Sequence, residues 1–224
     1  MNWMKKVAVA LVCLLPLGLQ AAKVDTLQVK SPSMNKSIEV VVVSPDVAAT
    51  KACPVIYLLH GYGGNARTWV GIKPDLSKIA DEKGIFFVCP DGKNTWYWDS
   101  PLNADVRYET FISDELVKYV DSHYKTVADR KGRAITGLSM GGHGAMWNGL
   151  RHSDVFSAAG STSGGVDIRP FPNNWHMSDW LGKESENQEV WDNHTAINQI
   201  DRLKNGDLAP VSYTHLRAHE TRHD

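Results

Sequence analysis

Short apolar runs, each followed by a segment of helical periodicity, set the tightest limit on how this chain can fold. Val55 to Leu59 is one such run and ends at His60-Gly61, and Ile85 to Val88 is another, ending at Pro90-Asp91-Gly92. Arg133 to Leu138 and Val155 to Gly160 continue the series. A strand without polar alternation has both faces covered, which is the situation of a parallel strand between two layers of helix. Leu76, Ile79 and Ala80 share one face of a helix that Gly84 stops. Ile112, Leu116 and Val120 recur every four residues between Tyr108 and Tyr124, with Asp and Glu opposite. Gly141 to Leu150 forms a further helix, and Ile38 to Val43, closed by Ser44-Pro45-Asp46, reads as an early strand. The alternation predicts an α/β fold with a mostly parallel central sheet and helices on both faces. A length of 224 residues, 42% of them hydrophobic, suits one domain of this kind.

Residues 1–22 obey different rules. Lys5 and Lys6 precede an apolar run, Val7 to Leu19, that is too short to span a bilayer comfortably, and small residues follow at Ala21 and Ala22. This is the pattern of an export signal cleaved near Ala22, with a retained signal anchor as the alternative. A secreted or periplasmic protein, with no membrane attachment after cleavage, is the expectation. Cys13 follows Val12, whereas a lipoprotein signal wants a small residue there. Cys53 opens one strand and Cys89 closes the next, so in parallel strands they lie at opposite ends of the sheet, beyond bridging distance. Two buried or semi-buried free thiols are expected in spite of the oxidising compartment. Net charge is −1, and removing the two signal lysines leaves 22 basic residues against 25 acidic; no basic patch calls for nucleic acid.

Gly137-Leu138-Ser139-Met140-Gly141 matches G-x-S-x-G and stands between an apolar strand and a predicted helix. A serine hydroxyl is a poor nucleophile, so chemistry on it needs a tight strand-to-helix turn that exposes the oxygen near a helix N-terminus. Glycine on each side lets the backbone turn without a β-carbon clash. His60-Gly61-Tyr62-Gly63-Gly64, directly after another strand, has the composition of an oxyanion loop: acyl transfer builds charge on a carbonyl oxygen, and backbone N–H groups stabilise it. The expected donors are the N–H groups of Met140 and Tyr62, with His60 and Gly61 supporting the loop. A phosphate cradle would need a following Lys-Ser/Thr and a helix start, which are absent.

The stretch Gly165 to Gln188 interrupts the rhythm with Pro170, Pro172, Trp175 and Trp180 among polar residues. It reads either as an insertion shaping a substrate site or as a plain surface excursion.

The His60-Gly61 loop, Pro90-Asp91-Gly92 followed by Trp96-Tyr97-Trp98-Asp99-Ser100-Pro101, the helix bearing Glu115, and Gly137 through Gly142 together resemble an esterase family. That family includes S-formylglutathione hydrolase, feruloyl and acetylxylan esterases and the mycolyltransferases. The likeness spans roughly residues 35 to 208. It implies an α/β-hydrolase that cleaves short acyl or aryl esters on sugars or small molecules, with no metal or other cofactor. It also sets Trp96 and Trp98 near the acyl pocket, although packing aromatics would look the same.

In this fold an acid and then a histidine follow the serine, on loops after the last two strands. The chain barely reaches those strands: Asn205 to Ala209 looks like the entry to the penultimate one, and Pro210 to Asp224 shows no strand pattern. The expected division is a signal at 1–22, an incomplete domain at 23–209 lacking its last strands, and a foreign or disordered tail at 210–224. No histidine present is well placed to replace the missing base. His143 follows Ser139 by four residues inside a helix, and His176 and His194 fall in or after the insertion. His123 and His152 sit near helix ends, where a cation suits the dipole. His215, His219 and His223 would share a helix face and imitate a metal site, but no carboxylate or cysteine completes it. The competing functions are an acyltransferase of the same fold, a carbohydrate-binding protein suggested by eight Trp and export, and a peptidase, disfavoured because no gating domain is visible.

Overall fold

The structure is a computed structural model that describes residues 22–204 and 206–213. Seven strands form one sheet in the order β1-β2-β4-β3-β5-β6-β7. Their bounds are β1 Lys23–Ser31, β2 Lys36–Ser44, β3 Val55–Leu59, β4 Phe86–Pro90, β5 Arg133–Leu138, β6 Ala158–Thr162 and β7 Ala209–Tyr213. β1, β2 and β4 pair antiparallel, whereas β4, β3, β5, β6 and β7 run parallel, as the apolar runs predicted. The helices are α1 Thr68–Ile72, α2 Leu76–Lys83, α3 Tyr108–Thr110, α4 Leu116–His123, α5 Met140–Arg151, α6 Ser178–Leu181 and α7 Gln188–Asn193.

Side-chain alternation divides the apolar residues into two layers. Val40, Val42, Val55, Tyr57, Leu59 and Val88 face one way and pack with α4 and α5 through Ile112, Leu116, Val120, Met146 and Trp147. Val41, Val43, Leu58, Phe87 and Cys89 face the other way and meet Leu76 and Ala80 of α2. Cys53 and Cys89 are buried and unpaired on opposite layers. Gly84 closes α2 in the left-handed conformation, φ 63.

Four differences from the sequence reading have local causes. β1 escaped notice because its Val and Leu alternate with charged and polar residues, as an edge strand with one wet face does. β6 starts at Ala158, since the N–H groups of Val155 and Phe156 turn back to the His152 carbonyl at the end of α5. The helix from Tyr108 to His123 contains a π turn, Phe111–Glu115, that directs Glu115 to the β1–β2 hairpin. There its carboxylate accepts from the Ser31 hydroxyl and the Ser33 N–H. The boundary drawn at Ala209 also moves: Ala209–Tyr213 is a strand along the free edge of β6, where Pro210, lacking an N–H, is tolerated. The export-signal reading falls on residues 1–21 and the tail histidines on 214–224, both outside the described residues. Ala22, the first described residue, donates its N–H to Asp81 Oδ2 at 2.8 Å.

A buried carboxylate ties the helices of one layer together. Glu109 accepts from Trp147 Nε1, Arg151 Nε and His152 Nε2 at 2.7–2.8 Å, and Arg151 and Arg202 both donate to Gln199 Oε1. Burial raises the Glu109 pKa, but the bonds from His152 and Arg151 outweigh it and hold the carboxyl at about 2 against an ordinary 4.5. Because the folded value is depressed, this stabilisation is present above about pH 4.5 and is lost as pH falls toward 2. It amounts to roughly 3 kcal/mol. Glu109→Gln should therefore lower stability at neutral pH and flatten the acid limb of urea midpoints measured between these values; an unchanged acid limb would contradict the assignment.

One close approach in the core is backbone on backbone. A Cβ at Gly141 would stand 2.5 Å from the Leu59 carbonyl carbon and 2.6 Å from the His60 oxygen, and one at Gly137 would stand 2.8 Å from the Leu59 oxygen. None of these atoms can rotate away. Gly141→Ala should cost on the order of 3 kcal/mol or fail to fold. Gly71→Ala, in the open space of α1, should be neutral or slightly stabilising by thermal denaturation.

Candidate active site

Ser139 is the single residue between the end of β5 at Leu138 and the start of α5 at Met140. Its backbone lies at φ 56, ψ −119, a conformation that costs a side-chain-bearing residue about 1–3 kcal/mol. Two backbone bonds hold it there: its N–H donates to the Thr162 carbonyl of β6 at 2.9 Å, and its carbonyl accepts from the His143 N–H at 3.0 Å. Ser139 is exposed while Met140 beside it is buried.

The His60–Gly64 loop runs past this turn, close enough that a Cβ on Gly61 would lie 3.4 Å from the Ser139 Cβ. His60 is buried and fixes the loop from within. Its Nδ1–H donates to the Gly61 carbonyl at 2.8 Å, and its Nε2 accepts the Gly92 N–H at 2.9 Å, which defines a neutral ring. The His60 carbonyl accepts from the Tyr97 hydroxyl at 3.0 Å. The Gly63 N–H goes to Asn94 Oδ1 and the Gly64 N–H to the Gly61 carbonyl. Among the described residues, no bond engages the N–H of Tyr62 or of Met140. An exposed hydroxyl beside two uncommitted amide donors can present a nucleophile and an anion site to one carbonyl group.

The aromatic residues form the wall behind. Trp96 and Trp98 stack at 5.6 Å, and each meets the His143 ring edge-on at 5.2 Å. Trp98 is fully enclosed and Trp96 nearly so; among the described residues the exposed aromatics are Trp175 and Phe171 of the 165–188 insertion, with Trp175 lying 6.0 Å from Trp96. His143 donates from Nδ1 to the Gly165 carbonyl, and burial lowers it to about 4, so it is a neutral pin between α5 and the insertion.

No histidine or carboxylate hydrogen-bonds the Ser139 hydroxyl among the described residues. His194 stacks on Trp147 at 5.5 Å, His176 pairs with Asp179 on the surface, and His123 and His152 bond within and between helices. No described group of three His, Cys, Asp or Glu side chains is arranged to hold a metal. A polar cavity of about 780 Å³ surrounds Arg107, Arg151, Gln199 and Arg202, but it belongs to the Glu109 network and Ser139 does not line it. Asn94, which holds the loop, was not singled out from the sequence, and Tyr97 entered only as part of a matching segment; nothing in their spacing marks a residue that acts through another segment.

Residues 31–212 match the family described as "Putative esterase". An esterase of Mycobacterium tuberculosis strain H37Rv is 31% identical over 149 residues, which is 63% of this chain and 32% of that protein. The chain spans about a third to a half of the length of the curated relatives it matches. Among solved structures, the fluorophosphonate-binding serine hydrolase FphF of Staphylococcus aureus superposes with a TM-score of 0.75 at 19% identity, covering 87% of this chain and 80% of that one. An S-formylglutathione hydrolase from Agrobacterium tumefaciens gives 0.71 at 19% identity, covering 87% of each. The sheet order, the serine turn after β5 and the family match over residues 31–212 agree: the chain has the α/β-hydrolase fold and belongs to the Putative esterase family.

Proposed function

We propose that this protein is a serine carboxylic ester hydrolase that works through an acyl-enzyme on Ser139. The observation that carries the reading is the strained, exposed turn at Ser139 beside the free N–H groups of Tyr62 and Met140. In the first half-reaction the Ser139 oxygen bonds to the ester carbonyl carbon, its proton passes to a general base, and charge collects on the carbonyl oxygen between the two amides. Collapse expels the alcohol, which takes up the proton. Water then attacks the acyl-serine by the same route and releases the acid.

His60 and Gly61 set the loop, while the exposed Trp175, backed by the enclosed Trp96, offers an apolar surface to short acyl or aryl groups. Small molecules or sugars are the proposed alcohol components, and a secreted or periplasmic setting accords with Lys5, Lys6 and the apolar run to Leu19. Among the described residues no helix is long and apolar enough to cross a membrane. The base and its acid partner are proposed to come from sequence beyond the described residues, because every described histidine is committed elsewhere.

p-Nitrophenyl acetate hydrolysis by this chain, and by a longer natural form that carries the following strands, tests both parts. The longer form should turn over and be labelled by a fluorophosphonate, and Ser139→Ala should remove about 10⁴-fold or more of its kcat together with the label. The present chain should retain only the weak catalysis of binding and amide donors. Turnover that survives Ser139→Ala would refute the nucleophile, and equal Ser139-dependent turnover by both forms would refute the external base.

A further inference from the structure

The bond between the Gly64 N–H and the Gly61 carbonyl, 3.0 Å, closes a four-residue turn with Tyr62 and Gly63 at its centre. Gly63 stands at φ 76, which makes this a type II turn. Types I and II differ by a flip of the central peptide, here the unit that joins Tyr62 to Gly63. Such a flip reverses the direction of the Tyr62 carbonyl and the Gly63 N–H next to the free Tyr62 N–H. One side chain grips that peptide: Asn94 Oδ1 accepts the Gly63 N–H at 2.7 Å.

Asn94 is itself held at its other end. Its backbone carbonyl accepts Trp180 Nε1 at 2.9 Å, and the Trp180 carbonyl accepts the Ser100 hydroxyl at 2.7 Å. The 94–100 segment therefore clasps the insertion on both sides of one tryptophan. The same segment is locked to the serine helix by the Tyr97 ring, which fills the space where a Cβ on Gly92 or Gly144 would stand, 2.5 and 2.8 Å from ring carbons. Lys93, Trp96 and Tyr97 all hold positive φ, at 50, 58 and 62, so this short stretch is kept in an unfavourable backbone by its surroundings.

We propose that Asn94 is a positioning residue for the Tyr62 amide donor: it selects the type II form of the Gly61–Gly64 turn and refers it, through Trp180, to the insertion. The proposal rests on the hydrolase reading for its consequence in catalysis but not for its geometry. The Gly63 N–H is at the surface, so without Asn94 water takes its place and the central peptide is free to flip.

Amide exchange of Gly63, followed by NMR on the 224-residue chain, isolates the geometric part. Asn94→Ala should speed this exchange about tenfold while amides of β5 and α5 keep their rates, and Asn94→Asp, which retains the acceptor, should stay within about twofold of the parent. In whichever form hydrolyses p-nitrophenyl acetate, Asn94→Ala should lower kcat about tenfold with KM changed less than about twofold, since the donor matters most when charge has developed. Gly63→Ala, which disfavours type II without touching Asn94, should lower kcat in the same way. Unchanged Gly63 exchange in Asn94→Ala, equal acceleration throughout the sheet, or a pure KM effect would each overturn the proposal. Absence of Ser139-dependent turnover in every form would instead defeat the hydrolase reading and leave the exchange result to stand on its own.

Discussion

The rest of the molecule depends on a contact that contains no side chains at all. Where β5 passes into α5, the backbone at Gly137 and Gly141 presses on the backbone of Leu59 and His60 at the end of β3. Parallel pairing of β3 with β5, from Val55–Arg133 to Leu59–Gly137, brings both strand ends to one level. The missing β-carbons then let the serine helix begin directly above the neighbouring strand. A turn of this shape forces Ser139 outward, and the same proximity sets the His60–Gly64 loop against it. Ser139 and the uncommitted amides are thus placed by one steric fact, at the carboxyl ends of the parallel strands, where open α/β sheets carry their sites.

Around that contact the polar groups are arranged so that few donors are left over. The Asp91–Ser100 segment engages the loop at three points: the Gly92 N–H donates to His60 Nε2, the Tyr97 hydroxyl donates to the His60 carbonyl, and Asn94 Oδ1 accepts the Gly63 N–H. Tyr62 and Met140 keep theirs. A site that stabilises developing charge needs donors already oriented and unspent, because reorganising them during the reaction would forfeit their benefit. The burial of His60 and Tyr97 makes their bonds hard to exchange for water, so the loop's stiffness comes from its buried end and its adjustability from its exposed tip.

What could be read from the sequence follows from how local each signal is. The run Val55–Leu59 named its own strand to the residue, because a strand covered on both faces has no polar interruption to blur it. The serine turn was legible for a similar reason: glycine on both sides of a short motif reports a backbone need rather than a side-chain preference. β1 and β7 were not legible, since one alternates like an exposed edge and the other begins with Ala-Pro, and both exist because a neighbouring strand offers unpaired groups. Glu109 gave no sign of its role either. Its partners Trp147, Arg151 and His152 meet it only because α3 packs against α5, and Gln199, at one remove, because the 196–202 turn packs on α5 as well. Asn94 and Trp180 are of the same kind, separated by 86 positions and joined by a single bond.

The strain at Ser139 bears on how the site is assembled. Its two holding bonds reach Thr162 of β6 and His143 of α5, and the glycines that permit it contact β3. All of these lie between residues 55 and 165, so the conformation of Ser139 is fixed by backbone contacts among the central strands and α5. A general base tunes reactivity once a proton must move, whereas the turn must be formed before any base can use it. The arrangement is therefore local: contacts among the central strands and α5 hold the strained serine beside the two uncommitted amides. Such packing accounts for a serine that is exposed, strained and, among the described residues, free of side-chain partners beside a loop whose buried end is hydrogen-bonded.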